Sequence, residues 1–386
     1  MDYLLTDEQR ELRALARDIA VNTVRPRAEY YDHANEFPWD VVKVFAQADL
    51  FRIFIPEEYE GLGMGVFELC LVTEELSRAC GGIALALAGT ALGTEPLLIM
   101  GNDAQKKKYL PRIAAGQSLA AFALTEADAG SDASAVKTRA VRDGGDYVLN
   151  GTKQWITNGG EAEIYTVIAA TDPRRGARGL SAFVVEKGTP GFDFGKKEDK
   201  LGIRASATRE LVFQDCRVPA ANLLGKEGMG FITVMRTFDR TRPGVASQAV
   251  GIAQGALDHA VAYAKERRQF GQPIASFQGI QFMLADMAMK VEAARALVYA
   301  SARMIDAGKK DVSRYSAMAK AFASDVAMEV TTNAIQVFGG YGYMREYPVE
   351  KYFRDAKITQ IYEGTNQIQR QVIALDLIRT AGRQVG

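Results

Sequence analysis

The acid–base chemistry of this chain has to come mainly from carboxylates, tyrosines or a cofactor, because its 386 residues include only two histidines, His33 and His259. Both lie in charged, helix-like surroundings and read as structural or surface residues. A Ser-His-Asp triad or a histidine-ligated metal site would need imidazoles that the chain barely owns, and no metal site is expected. Among the acids, Glu363 in ITQIYEGTNQIQR (358–370) stands apart. Read alone, it is a solvated acid in the connection before the last helix. Burial beside Tyr362 would raise its pKa toward that of a useful base. Thr365 can cap the following helix, whose N-terminus favours the ionised form instead. Gly364 leaves room for a ligand or an unusual backbone angle. The sequence does not say which effect wins.

Four other stretches carry residue types suited to a site. AFALTEADAGSD (121–132) places Thr125, Ser131 and several small residues after a strand-like run. Such a loop exposes backbone donors to anionic or carbonyl-rich groups, or is an ordinary capped turn. KQWITNGG (153–160) puts Trp155 and Thr157 on one face if extended with a two-residue period. An aromatic beside a hydroxyl suits the face of a planar cofactor, and equally a sandwich core. ERRQFG (266–271) clusters Arg267 and Arg268 with Phe270, for a phosphate or for a polar helix end. QVFGGYG (336–342) ends an apolar helix with glycines that would let a backbone close on a bulky ligand.

These stretches need elements to hold them. The first 120 residues read mostly as helices. Thr6 and Gln9 form a capping box ahead of a Leu12, Leu15 and Ile19 stripe. Amphipathic segments follow at 39–52, 64–79 and 103–113. The apolar run GGIALALAGTALG (81–93) is too short to span a bilayer and reads as a buried helix. Near residue 120 the pattern changes to short β-branched and aromatic runs such as YTVIAAT and LSAFVVEK, separated by DGGD, DPRRG and KGTPG turns. A compact antiparallel sheet or small barrel fits 120–225. No GxGxxG follows a strand, which argues against a dinucleotide-binding Rossmann fold. From about 226 the chain is helical again, with Pro243 as a candidate kink. Further helices are expected at 276–306, 311–338 and 365–381, the last with Ile368, Val372, Leu375 and Ile378 in register. The expected fold is α+β: an all-α domain at 1–119, a middle β domain at 120–225 and a C-terminal four-helix bundle at 226–386. The β insert would leave a cleft between layers.

Bulk properties narrow the class. Lys and Arg total 47, as do Asp and Glu, and no basic tract suggests nucleic-acid binding. The start, MDYLLTDEQRELRAL, is acidic and helix-like rather than a signal segment. No membrane insertion is expected. Cys70, Cys80 and Cys216 match neither a disulfide framework nor a zinc pattern, and read as reduced, buried thiols of a cytoplasmic protein.

Five stretches in this order, LTEADAGSD, KQWITNGG, ERRQFG, QVFGGYGYMREYPVEKYFRDAKI and IYEGTNQIQR, resemble the acyl-CoA dehydrogenase family over essentially the whole chain. FDRTRP (238–243) and EYPVEK (346–351) look most like the medium-chain members. The resemblance implies one non-covalent FAD per subunit, between the β domain and the bundle, in a homotetramer built as a dimer of dimers. Phe122, Leu124 and Thr125 would line the flavin, Trp155 would pack against its ring, and Thr157 would bond near N5. Arg267, Gln269 and Phe270 would reach the pyrophosphate and ribityl region of a neighbouring subunit's FAD. Gln336, Gly339 and Gly340 would contact its adenosine half, while Thr365 and Gln367 would hold the dinucleotide near Glu363. Ser131 would face the CoA chain, Asp239 and Arg242 would lie along the CoA path, and Tyr362 and Gly364 would flank the substrate.

By the same resemblance, Glu363 would remove the pro-R α-proton of an acyl-CoA while the β-hydrogen leaves as hydride to flavin N5. The thioester carbonyl would be held by a flavin ribityl hydroxyl and the base's own N–H. The trans-2-enoyl-CoA would result, with electrons passed to electron-transferring flavoprotein. The alternatives are a dehydrogenase for a cyclic, branched or aryl-substituted acyl-CoA, or an acyl-CoA oxidase. Two departures stand out. TEADAGSD replaces the common TEPGAGSD, placing Ala127 and Asp128 in the loop that would face CoA. Ala88 stands where medium-chain relatives carry an acid deep in the acyl pocket, and an acid appears later, at Glu95.

Overall fold

A computed structural model describes residues 3–381. Helix α1 (Asp7–Ile19) starts from the expected capping box: the Gln9 amide donates to Thr6 Oγ1 at 3.2 Å, and the Thr6 amide to Gln9 Oε1 at 3.0 Å. Its buried face runs through Leu12, Ala16 and Ile19, and Leu15 is exposed. The i, i+4, i+7 spacing, not i, i+3, meets the core here. Helices α2 (Ala28–Ala34) and α3 (Trp39–Gln47) follow. The helix expected over 39–52 stops early, because Asp49 takes φ +57° and starts a separate 3₁₀ turn at Leu50–Arg52. Helix α4 (Val66–Ala79) is capped from far away: the Val66 and Phe67 amides both donate to the Asp306 carboxylate at 2.8 Å.

Helix α5 (Gly81–Met100) outruns its expected end, with Pro96 accommodated inside it. By length and composition it could cross a membrane, yet 72% of its most apolar window is buried within the protein. It is the central helix of the fold. Helix α6 (Asp103–Ala114) begins at an Asn102/Gln105 capping box.

Eight strands then form one sheet: β1 (Ala120–Ala123), β2 (Arg139–Asp143), β3 (Asp146–Thr157), β4 (Ile164–Ala170), β5 (Leu180–Glu186), β6 (Phe192–Lys197), β7 (Thr208–Pro219) and β8 (Leu223–Leu224). Their order is β6-β7-β3-β2-β4-β5-β8, with β1 also against β4. The sheet is mainly antiparallel, but β1 runs parallel to β4 from Ala120↔Ile164 to Ala123↔Val167, and β2 meets β4 in parallel at Arg139↔Ala170. The β3–β7 ladder slips between Lys153 and Ile156. That bulge shapes the site.

The C-terminal region holds α7 (Gly230–Glu266), α8 (Gln278–Asp306), α9 (Ser313–Phe338), α10 (Val349–Thr359) and α11 (Asn366–Ala381). Helix α7 continues through Pro243 as one 37-residue element. Helices α7, α8 and α9 pack against one another and α11 lies on α9, which makes the four long helices of the bundle. The shorter α10, not foreseen from the sequence, packs on α7 and α9. The stripe expected along α11 does not find a core within one chain: Leu375 is 59% and Ile378 73% exposed.

Three apolar clusters tie these layers together. One joins α1–α5 to one side of the sheet, a second joins α4 to the C-terminal helices, and the third packs α6 and the start of α7 on the other side. Because α4 and α5 lie between sheet and bundle, the sheet meets the bundle along α5. The cleft opens there.

Candidate functional site

A cavity of about 1260 Å³, its open mouth included, lies between α5, the ends of β1 and β3, the first half of α7 and the turn before α11. Glu363 and Tyr362 line it from the turn, and Phe122, Leu124, Thr125, Trp155 and Thr157 from the sheet. Seven of the residues singled out in the sequence therefore share one wall system, although 241 positions separate Phe122 from Glu363.

Glu363 has φ +50° and Gly364 φ +90°, so two successive residues are left-handed. A side chain in that region is held at a cost of about 1–2 kcal/mol, and surrounding bonds must impose it. They are present. Gln369 Nε2 donates to the Glu363 carbonyl at 3.2 Å and to the Gly364 carbonyl at 2.9 Å, and Lys320 Nζ donates to the Gly364 carbonyl at 2.8 Å. Thr365 Oγ1 accepts from the Ile368 amide at 3.3 Å and caps α11 as expected.

The carboxylate itself accepts from Thr241 Oγ1 at 2.7 Å. Burial pushes the Glu363 pKa up, while the Thr241 bond and the charges of Arg242 and Lys320 pull it down; the balance lies above the ordinary carboxylate range. The contest left open by the sequence goes to burial. Beside it, the Tyr362 phenol bonds to Gln248 Oε1, and Gln248 Nε2 donates to the Gly81 carbonyl at 2.9 Å. The tyrosine ring is thereby fixed between α7 and the start of α5.

Across the cavity, the bulge gives Trp155 φ +56° and interrupts the regular two-residue period expected there. Trp155 and Thr157 still both line the cavity, and the indole is 58% exposed. A buried ion pair locks this wall. Lys153 Nζ donates to the Leu124 carbonyl at 2.8 Å and to Glu126 Oε1 at 2.7 Å, and Glu126 accepts from the Lys137 and Thr138 amides at 2.6 and 3.0 Å. Burial brings the Lys153 pKa down to about 8, with Glu126 acting against the fall. The strand end carrying Trp155 and the loop carrying Thr125 are thus tied together.

Other expected residues lie elsewhere. Ser131 is exposed and off the cavity wall. Arg242 is buried, with Nη1 3.5 Å from Asp239 Oδ1 and its guanidinium over the Phe238 ring. Asp239 and Arg242 therefore back the wall and do not line it. Gly364 lies in the turn and Thr365 caps α11, neither lining the cavity, and Gln367 is exposed. Arg267, Gln269, Gly339 and Gly340 share a separate surface recess, where Arg267 lies 5.2 Å over the Tyr341 ring. Phe270 is 92% exposed, and Gln336 is exposed too. One chain does not bring this group to the cavity.

Several contributors were not singled out in the sequence: Thr241, Gln248, Lys320, Gln369 and the Lys153–Glu126 pair. Lys320 left a signal, since it falls on one helical face with the small buried residues Ser316, Ser324 and Ala327. Ala88 and Glu95 both line the cavity, and Glu95 is paired with Arg240 on α7. The departure at Ala88 therefore belongs to the cavity wall.

The wall fits a flavin. An exposed indole on a bulge, two threonine hydroxyls and small residues of α5 provide a flat face with hydrogen-bonding groups beside it. Comparison with known proteins agrees. Residues 6–117, 121–216 and 228–378 match the acyl-CoA dehydrogenase N-terminal, middle and C-terminal domains. The probable acyl-CoA dehydrogenase fadE25 of Mycobacterium leprae is 51% identical over 98% of this chain and 97% of its own length. Two solved structures superpose with TM-score 0.96 over 98% of this chain and 100% of theirs. One, 51% identical, is described as an electron transferring flavoprotein of Acidaminococcus fermentans; the other, 47% identical, is butyryl-CoA dehydrogenase from Megasphaera elsdenii. An acyl-CoA dehydrogenase from Bacillus anthracis, solved in complex with FAD, is 35% identical with TM-score 0.93, over 100% of this chain and 70% of that one. With three matching domains in order and a flavin-shaped wall facing a buried carboxylate, the chain belongs to the FAD-dependent acyl-CoA dehydrogenase family.

Proposed function

We propose that the protein oxidises a saturated acyl-CoA thioester to its trans-2-enoyl form, with Glu363 as the base. The observation that carries this is the placing of Glu363 opposite Trp155 and Thr157 in one cavity. When bound there, FAD supplies the hydride acceptor. Thr241 occupies Oε2 of Glu363, so the α-proton is taken on Oε1. The left-handed turn leaves the Glu363 amide without an acceptor among the described residues. That N–H is available to the thioester carbonyl, where it stabilises developing enolate charge. Tyr362, Phe122 and Phe238 keep the walls apolar, which excludes water and favours the raised pKa of the base. Thr125, Trp155 and Thr157 orient the cofactor's ring, held as one unit by Lys153 and Glu126.

The recess with Arg267, Gln269, Gly339 and Gly340 would complete the FAD site of a neighbouring subunit, with Phe270 and Gln336 reaching across, in a homotetramer. The exposure of Phe270 and Gln336 and the bare apolar residues of α11 support that assembly. Electron-transferring flavoprotein is the acceptor in this reading, which the Acidaminococcus relative supports. The free, buried thiols of Cys70, Cys80 and Cys216 fit a cytoplasmic location.

Anaerobic bleaching of the bound flavin by a panel of straight, branched, cyclic and aryl acyl-CoA thioesters tests the reading. Rapid bleaching by at least one thioester is expected. If no thioester bleaches it, the function is wrong, and rapid reoxidation of the substrate-reduced protein by oxygen would make it an oxidase.

A further inference from the structure

A second charged group is buried against the catalytic turn. Lys320, on α9, has no solvent exposure. Its ammonium donates to the Gly364 carbonyl at 2.8 Å and to Asn366 Oδ1 at 3.0 Å. Both are neutral oxygens, and among the described residues no carboxylate lies within ion-pair distance of it. Glu363 mirrors this, since its carboxylate bonds to a hydroxyl and to no cation directly. Buried charges are ordinarily paired, because each alone loses its hydration. Here a fully buried cation and a half-buried carboxylate at the cavity wall sit on either side of one turn.

We infer that Lys320 is a positioning residue for the base: its ammonium fixes the left-handed Glu363–Gly364 turn and adds, from behind, to the positive charge of Arg242 that offsets burial of the carboxylate. The inference rests on Glu363 being the base. A direct ion pair would cover the oxygen that must receive the proton and hold it ionised too firmly. A cation one peptide away leaves that oxygen open. A neutral donor could make the same two hydrogen bonds, so the positive charge is what needs a reason.

The neighbouring groups bear on this from every side. Helix α7 contributes Thr241 and Arg242, the latter near Asp239. Helix α9 adds Asp325, which pairs with Arg370 of α11 at 2.7 Å and accepts from Asn366 at 2.7 Å. The turn itself adds Tyr362, and α10 adds Asp355, which acts on that tyrosine. Burial lowers the Lys320 pKa to about 7, and Glu363 opposes that fall. The two groups are thus coupled through the turn.

The test uses the FAD-loaded enzyme as Lys320→Met and Lys320→Gln, with Glu363→Gln in parallel. The readout is the anaerobic flavin-bleaching rate across pH, with FAD content and thermal midpoint recorded. Loss of the charge is expected to raise the pH midpoint of bleaching by about one unit in both variants, a roughly tenfold slower rate on the acid side that recovers at higher pH. A wild-type midpoint in Lys320→Gln would reduce the lysine to a hydrogen-bond donor and overturn the inference. So would an equal loss of rate at every pH, or failure of both variants to fold with FAD, since either marks a purely structural residue. Bleaching by Glu363→Gln overturns the base assignment itself. An inert Glu363→Gln beside unshifted Lys320 variants sinks the lysine role alone.

Discussion

Glu363→Gln should remove activity and add stability, and the two effects share one cause. Glutamine has nearly the shape of glutamate, and its Oε1 can still accept from Thr241 in the 2.7 Å position used now. The turn is held by Gln369 and Lys320 through backbone carbonyls, which the substitution leaves in place. FAD should therefore stay bound. What is lost is the proposed acceptor of the α-proton, worth about 10⁴-fold in rate, or roughly 5 kcal/mol in the barrier. The stability sign follows from the raised pKa. A carboxyl whose folded pKa exceeds its unfolded value favours folding when protonated; that contribution is complete below the unfolded pKa and is lost as pH rises through the folded one. At neutral pH the wild type thus bears the penalty of an ionised, buried carboxylate, after the help of Thr241, Arg242 and Lys320 is counted. The glutamine does not. The assay is stopped-flow bleaching beside thermal melts at pH 7 and at pH 4. Bleaching should be absent, with a higher melting point at pH 7 and a smaller difference at pH 4. Bleaching within tenfold of wild type, or a lower melting point at pH 7, would refute the reasoning.

The wild-type bleaching rate should fall as pH drops through the raised Glu363 pKa, because the protonated acid cannot act as a base; a rate flat down to the ordinary carboxylate range contradicts this. Ala88→Phe fills part of the cavity wall of α5 and should lower kcat/KM for the longest accepted acyl group by about tenfold or more, while an unchanged profile removes Ala88 from the acyl path. Lys153→Met strands the buried Glu126 carboxylate and should cost about 3–5 kcal/mol in a denaturant titration, much of it regained by adding Glu126→Gln. Additive losses in that pair would mean the ion pair is not the source.

The helix–sheet–helix order was legible because hydrophobic period and turn chemistry are local properties. Thr6 and Gln9 announce α1, and the change near residue 120 announces the sheet. The bulge at Trp155 was not legible, since a slip between β3 and β7 depends on which strand lies alongside. Helix α10 was missed for a related reason: VEKYFRDAKIT is short, and its buried Tyr352 and Ala356 matter only against α7 and α9. Arg242 was assigned by motif to a ligand path, and burial beside Asp239 places it behind the wall.

The site divides along the same line. Residue types and order made Glu363, Trp155, Thr157 and Thr125 candidates, and the resemblance of their stretches to one family gave them roles, because a scarcity of histidine and a set of ordered motifs are facts of composition and order. Only the tertiary structure decided which way the pKa of the acid moves. Its pKa depends on desolvation by walls drawn from α5, the sheet and α7, and on Thr241, Arg242 and Lys320, all distant in the chain. Electrostatic energy follows distance and burial in space, and neither is written in sequence separation.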